Sequence, residues 1–208
     1  MTNIGRSEKV LFMRIFLTVL ILIFSLQFWT KADDISDFEI EGMSIGDSLL
    51  DYFSKNEINQ AKQDTQYPGS DRYIIITLNN LDRFEIYDSV QIDYKKNDSK
   101  YVIASLMGML SFHDNIYDCY EKQKTIASEV EMLFSKAKKK EGKQAKTFDK
   151  TGESTSYLYE FHLSGGDVIQ ISCDDWSDKM SKKHNLNDHL GVSVMSKDLV
   201  NFLYNEAY

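Results

Sequence analysis

The chain has 208 residues, 42% of them hydrophobic and 12% aromatic, with 12 Tyr and 12 Phe. Disordered chains lack the aromatic and branched residues that offset chain entropy, so this composition excludes disorder and fits one globular domain with a substantial core. Net charge is −8, and residues 33–208 alone carry 20 basic against 31 acidic side chains, a balance that repels phosphate backbones and disfavours nucleic-acid binding.

Arg6, Lys9 and Arg14 precede an apolar run from Ile15 to Phe28, relieved only by Thr18, Ser25 and Gln27. Trp29-Thr30-Lys31-Ala32 follows, and Asp33-Asp34 comes at once after it. A basic flank, a short apolar run and a small residue before an acidic start form the layout of a secretory signal, with cleavage after Ala32. Residues 1–32 are therefore read as a signal peptide and 33–208 as the exported domain. The competing reading is an uncleaved membrane anchor. A span needs about 20 apolar residues, and this run is shorter.

In the exported part, Gly42-Met43-Ser44-Ile45-Gly46-Asp47 predicts a helix start, with Ser44 and Asp47 capping each other and Ile45, Leu49 and Phe53 sharing one face. Tyr67-Pro68-Gly69-Ser70 reads as a turn. Arg72–Leu78 is dense in β-branched residues. Val90, Ile92 and Tyr94 then alternate with Gln91, Asp93 and Lys95, and Tyr101–Phe112 returns after a polar turn, so residues 84–112 read as an antiparallel hairpin. The longest helix follows. Ile116, Cys119, Tyr120, Ile126, Ala127, Val130, Phe134 and Ala137 recur at three- and four-residue steps, behind a cap at Asp114 or Asn115.

Residues 136–150 hold seven Lys against Glu141 and Asp149. Two readings apply: a solvated helix end and loop outside the core, or an electrostatic docking patch for an anionic surface. The expectation is the loop. Tyr157, Tyr159, Phe161 and Leu163 share a face, Ser164-Gly165-Gly166-Asp167 turns, and Ile169, Ile171 and Cys173 share a face on the return. Gly191–Met195 is a short strand, and Ser196 caps a last helix that buries Leu199, Phe202 and Leu203. Hairpins instead of βαβ spacing predict an α+β fold: an antiparallel sheet with a long central helix and shorter N- and C-terminal helices packed on one face.

Motifs for chemistry are sparse. His184 and His189 are five apart, which does not align two imidazoles on one helix face, so a surface loop explains them better than a metal pair. His162 alternates to the solvent side of its strand. Asp174, Asp175 and Asp178 cluster around Trp176 without the glycine of a calcium loop, and helix capping by Asp175 or Ser177 accounts for them. The sequence holds no nucleophile elbow and no H-E-x-x-H. The glycines at 165 and 166 sit between strands, where a phosphate cradle would need a helix. No catalytic, cofactor-binding or metal residues are assigned, and no cofactor is expected. Cys119 and Cys173 make no CxxC pair. Export, an even count and two apolar faces predict that they form a disulfide tying the central helix to the second hairpin; the alternative is two separate buried thiols.

The opening of the exported part, Asp33-Asp34-Ile35-Ser36-Asp37-Phe38-Glu39-Ile40-Glu41-Gly42-Met43-Ser44-Ile45-Gly46-Asp47-Ser48-Leu49-Leu50-Asp51-Tyr52-Phe53, resembles that of small exported proteins of marine alphaproteobacteria whose function is unknown. The resemblance implies a Gram-negative envelope and the periplasm, and carries over no activity and no site residues. The expected role is a non-catalytic binding or interaction domain with an unknown partner. The alternatives are a membrane-tethered envelope component, which touches the membrane only if the N-terminal segment stays uncleaved, and an unrecognised hydrolase.

Overall fold

The protein is described by a computed structural model over residues 34–63, 66–112 and 115–208. The signal-peptide expectation for residues 1–32, the cap at Asp114 and His113 all lie outside the described residues. Seven strands form one antiparallel sheet: β1 (Tyr73–Asn79), β2 (Ser89–Lys95), β3 (Ile103–Ser111), β4 (Lys138–Ala145), β5 (Thr155–His162), β6 (Val168–Asp175) and β7 (His189–Met195), in the order β1-β2-β3-β7-β6-β5-β4. Among the described residues four α-helices accompany them: α1 (Lys55–Gln60), α2 (Ile116–Leu133), α3 (Asp178–His184) and α4 (Lys197–Asn205). The fold is α+β, as its hairpins predict.

The sheet is two meanders joined where β3 pairs β7. Helix α2 carries the chain from the middle of the sheet to its far edge, and at about 27 Å it is long enough to do so. One face carries the core. Ile76, Ile92, Leu106, Val194, Ile169 and Phe161 form a continuous row across six strands, because register pairs each with the next. Strand alternation puts every second residue on that face, where an apolar row meets a cover instead of water. Helix α2 covers β6 and β7, burying Cys119, Ala127 and Val130. Ile35, Ile40, Met43, Leu49, Phe53 and Ile58 from the N-terminal segment complete the same cluster.

Three expectations are corrected. The helix expected from Ser44 is instead a turn, in which Asp47 accepts the Ser44 amide at 2.9 Å, followed by a single 3-10 turn at Leu49–Asp51 capped by Ser48. The reciprocal capping box sits ten residues later, between Ser54 and Glu57, and starts α1. Pairing wins over helix here: Gly46 and Leu49 give their amides to Ile103 and Tyr101, holding the segment straight against the start of β3.

The Lys-rich stretch is not a loop. Lys138–Ala145 is edge strand β4, in register with β5 from Lys138↔His162 to Ala145↔Thr155. Charge masked the strand, because lysines on both faces of an edge reach water whichever way they point.

Finally, the helices do not all share a face. Helix α4 packs Leu199 and Phe202 on Tyr73 and Ala104, in a cluster separate from the main core. Tyr73 alternates with Ile74 and Ile76, which face that core, so α4 covers one corner of the opposite face. A bulge after Asp93 leaves Ala104 without a strand partner and brings it to this corner.

Candidate functional site

The face opposite the core is where polar side chains gather. Its central row runs Thr77, Gln91, Met107, Ser193, Gln170, Glu160 and Lys140 across all seven strands. Gln170 and His162 both reach the Glu160 carboxylate, at 3.0 and 3.1 Å. His162 therefore stands away from the core, as its alternation predicts. Near the α4 corner, the buried Asp93 carboxylate accepts from the Ser105 hydroxyl at 2.5 Å and from Tyr67 at 2.8 Å. Burial pushes its pKa up, against the opposing pull of those two hydroxyls.

At the same corner a cleft of about 460 Å³ opens between the start of α4 and the sheet, lined by Tyr73, Lys95, Asp98, Asp167, Lys197 and Asp198 among others. The charged groups arrive from four parts of the chain. Lys95, the last residue of β2, pairs with Asp198 of α4 at 2.9 Å. Asp167, in the β5–β6 turn, accepts the Lys197 amide at 2.8 Å and so fixes the start of α4. Asp98 is turned inward by the Lys100 and Val102 amides, at 2.9 and 3.0 Å, which hold its carboxyl below the usual range. Tyr73 is fully buried, its ring tilted against Phe202 with centroids 4.8 Å apart, and its hydroxyl has no hydrogen-bond partner. An orphan hydroxyl of this kind costs about 1–3 kcal/mol.

A second polar centre lies where β5 starts and β6 ends. The Asp174 carboxylate, nearly fully buried, takes the Ser156 hydroxyl at 2.5 Å and the Lys146 ammonium at 2.5 Å, and His189 Nε2 stands 3.3 Å from it. His189 Nδ1 stands 3.0 Å from the Asn187 carbonyl oxygen. The Lys146 ammonium also sits 5.3 Å from the centre of the Trp176 ring, whose buried Nε1–H has no partner. Nearby, the equally buried Asp149 collects the hydroxyls of Thr151, Ser154 and Ser177 and the amides of Thr151 and Ser154. The Ser154 and Thr151 hydroxyls lead in holding its carboxyl well below the usual range.

Serine, histidine and aspartate thus meet at one carboxylate, yet the geometry is that of a clamp. The Ser156 hydroxyl donates its hydrogen bond to Asp174 and is fully enclosed, whereas nucleophilic catalysis needs the hydroxyl against a base and open to substrate. What the arrangement does is neutralise a buried carboxylate with a lysine and tie β5, β6 and β7 to the β4–β5 connection.

The structure places the residues singled out from sequence as follows. Cys119 and Cys173 are bonded, with Cα atoms 6.0 Å apart, and link α2 to β6 as expected. His184 and His189 part company: the first packs on Phe148 at the end of α3, the second faces Asp174. Among the described residues no group of three His, Cys, Asp or Glu side chains is placed to hold a metal. The capping expectation for Asp175 or Ser177 is half right. Ser177 stands at the start of α3 but makes no capping bond; its hydroxyl goes to Asp149 instead.

Sequence reasoning missed Asp93, Asp149, Lys146 and Gln123. Asp93 and Gln123 are polar residues at positions the sheet and helix bury. The Gln123 amide nitrogen donates to the Tyr157 and Ile171 carbonyls at 2.7 and 2.8 Å, one turn from Cys119. Only the interruption of the α2 stripe by a polar residue signals it. No family model, curated protein or solved structure matches the chain.

Proposed function

We propose that the chain is an exported protein of the periplasm that acts as a non-catalytic binding domain, with the cleft beside α4 as its ligand site. Export is supported by the basic flank, short apolar run and Ala32 ahead of Asp33-Asp34, and by a buried disulfide of the sort that persists in oxidising compartments.

The observation that carries the binding reading is the buried Tyr73 hydroxyl, left without a partner beside a cleft lined by Lys95 and Lys197 and by Asp98, Asp167 and Asp198. Buried polar groups are nearly always satisfied, and a ligand oxygen or nitrogen supplies what the chain does not. Mixed charge at the rim suits a small molecule carrying both signs, such as a free amino acid or a dipeptide. The test is a thermal-shift and NMR screen of the protein against free amino acids and dipeptides. Binding is expected to move the resonances of Tyr73 and Lys197 and to weaken in Tyr73→Phe and Lys197→Gln. Spectra unmoved at the cleft across the whole panel would remove this site.

A further inference from the structure

The two edges of the sheet are finished differently. The outer side of β1 is covered: Thr77 gives its amide to the Ala61 carbonyl, Gln63 gives its own to Ile75, and the Gln66 side chain bonds both main-chain groups of Ile75. Nothing among the described residues covers β4 in the same way, and seven of its eight residues are exposed. Four of them are lysines. Lys139 is engaged by Glu131 at 2.8 Å, while Lys138, Lys140 and Lys143 stand in solvent with no ion pair among the described residues. Large apolar side chains bracket this ribbon. Met132 and Leu133 are 72% and 41% exposed at the end of α2, just before it, and Phe148 is 59% exposed just after it.

From this we infer that the β4 edge is a docking surface for an anionic phospholipid bilayer. Lysines reach lipid phosphates while their stems and neighbouring apolar side chains enter the headgroup boundary, a pairing that explains both features of the edge at once. The strand spans about 26 Å, so its cations meet several headgroups together. Net charge of the whole chain is −8, yet charges more than about 8 Å from the contact are screened at physiological salt, and the local cations decide. An acidic protein segment added along the edge is disfavoured, because lysines at an open edge hinder strand addition and such a partner leaves Met132 and Phe148 unexplained. The inference stands independently of the cleft.

The experiment is co-sedimentation of the full chain with phosphatidylcholine vesicles, with and without phosphatidylglycerol. The N-terminal segment is common to every variant, so differences between variants report the edge. Wild type is expected to bind the anionic vesicles preferentially and to be released by salt. A Lys138→Gln/Lys140→Gln/Lys143→Gln variant should bind them at least about tenfold more weakly, three cationic contacts being lost. A Met132→Ser/Phe148→Ser variant should weaken binding while keeping its salt dependence. Thermal melts of both variants, matched to wild type, show that the fold is intact. Equal binding to the two vesicle types, or triple-variant binding as tight as wild type, overturns the proposal. So does capture of polyglutamate by the same lysines with no vesicle binding, which assigns the edge to an acidic protein.

Discussion

Asp93 and Glu41 are carboxylates with opposite consequences for stability. Glu41 is partly buried, which by itself raises its pKa, but the amides of Glu85, Tyr87 and Ile86 together hold it below the usual range. Its contribution is present above the ordinary carboxylate pKa and is lost as pH falls through the lowered value. Asp93 is raised by burial, so the folded state holds its proton more tightly than the unfolded state does. That advantage is full below the unfolded pKa and is lost as pH climbs through the raised one. Relative to Asp93→Asn, wild type is expected to lose stability as pH rises above the ordinary carboxylate range, read from urea melts. A difference that does not change with pH would rule this out. Glycine supplies a second residue-scale prediction. A Cβ at Gly108 would lie 2.6 Å from the Tyr87 ring, whereas one at Gly142 would meet nothing within 4 Å. Gly108→Ala should therefore cost about 1–3 kcal/mol by displacing the ring, and Gly142→Ala less than about 0.5. Equal melting temperatures for the two variants would show that Tyr87 moves freely.

Among the elements, helix α2 is the one on which the core depends. It is held by a stripe of small and medium side chains, by the Gln123 bonds to two strands and by the disulfide to β6. The two cysteines are 54 positions apart, and closing a loop of that length stabilises by about 4 kcal/mol in the chain-entropy model. A Cys119→Ala/Cys173→Ala variant is expected to lose about that much in denaturant melts. Wild type with reductant should fall to the same level. If reduction leaves the midpoint unmoved, the cross-link adds nothing to what packing already supplies. Strand β4 shows how an element of almost pure charge is kept in a sheet. Its pairing partner β5 supplies Tyr157, Tyr159 and Phe161, and Lys139 lies 5.1 Å from the Tyr159 ring centre, so a lysine stem and cation stand in for an apolar side chain.

For the whole molecule, the sheet has one face closed by α2 and the N-terminal segment, while the other carries α4 at one corner. That asymmetry puts the polar rows, the cleft and the Asp174 clamp on the side away from the core. No helix among the described residues is long and apolar enough to cross a membrane. The proposal of export turns on the first 32 residues. Mass spectrometry of the protein recovered from a periplasmic fraction is expected to give an N-terminus within about two or three residues of Asp33. Recovery of the intact chain alone, in the membrane fraction, would favour the anchored alternative.

Local periodicity by itself determined the class, because a two-residue alternation buries one face of a strand whatever its neighbours are. Val90-Ile92-Tyr94 and Tyr157-Tyr159-Phe161 are legible for that reason, as are the α2 stripe and the Ser196 cap. The Cys119–Cys173 bond was legible as well, since both sulfurs sit on faces that must meet if helix covers sheet. Other features wait on contacts between residues far apart in sequence. Ser44–Phe53 reads as a helix until Ile103 and Tyr101 claim its amides, and Lys138–Ala145 reads as a loop until β5 offers an edge to pair with. The candidate site belongs wholly to this second kind. Lys95, Asp98, Asp167 and Lys197 each look like ordinary surface charges in the sequence. Only the sheet order, by setting the β2 end beside the β5–β6 turn and the start of α4, brings them around a cleft that the buried Tyr73 also lines.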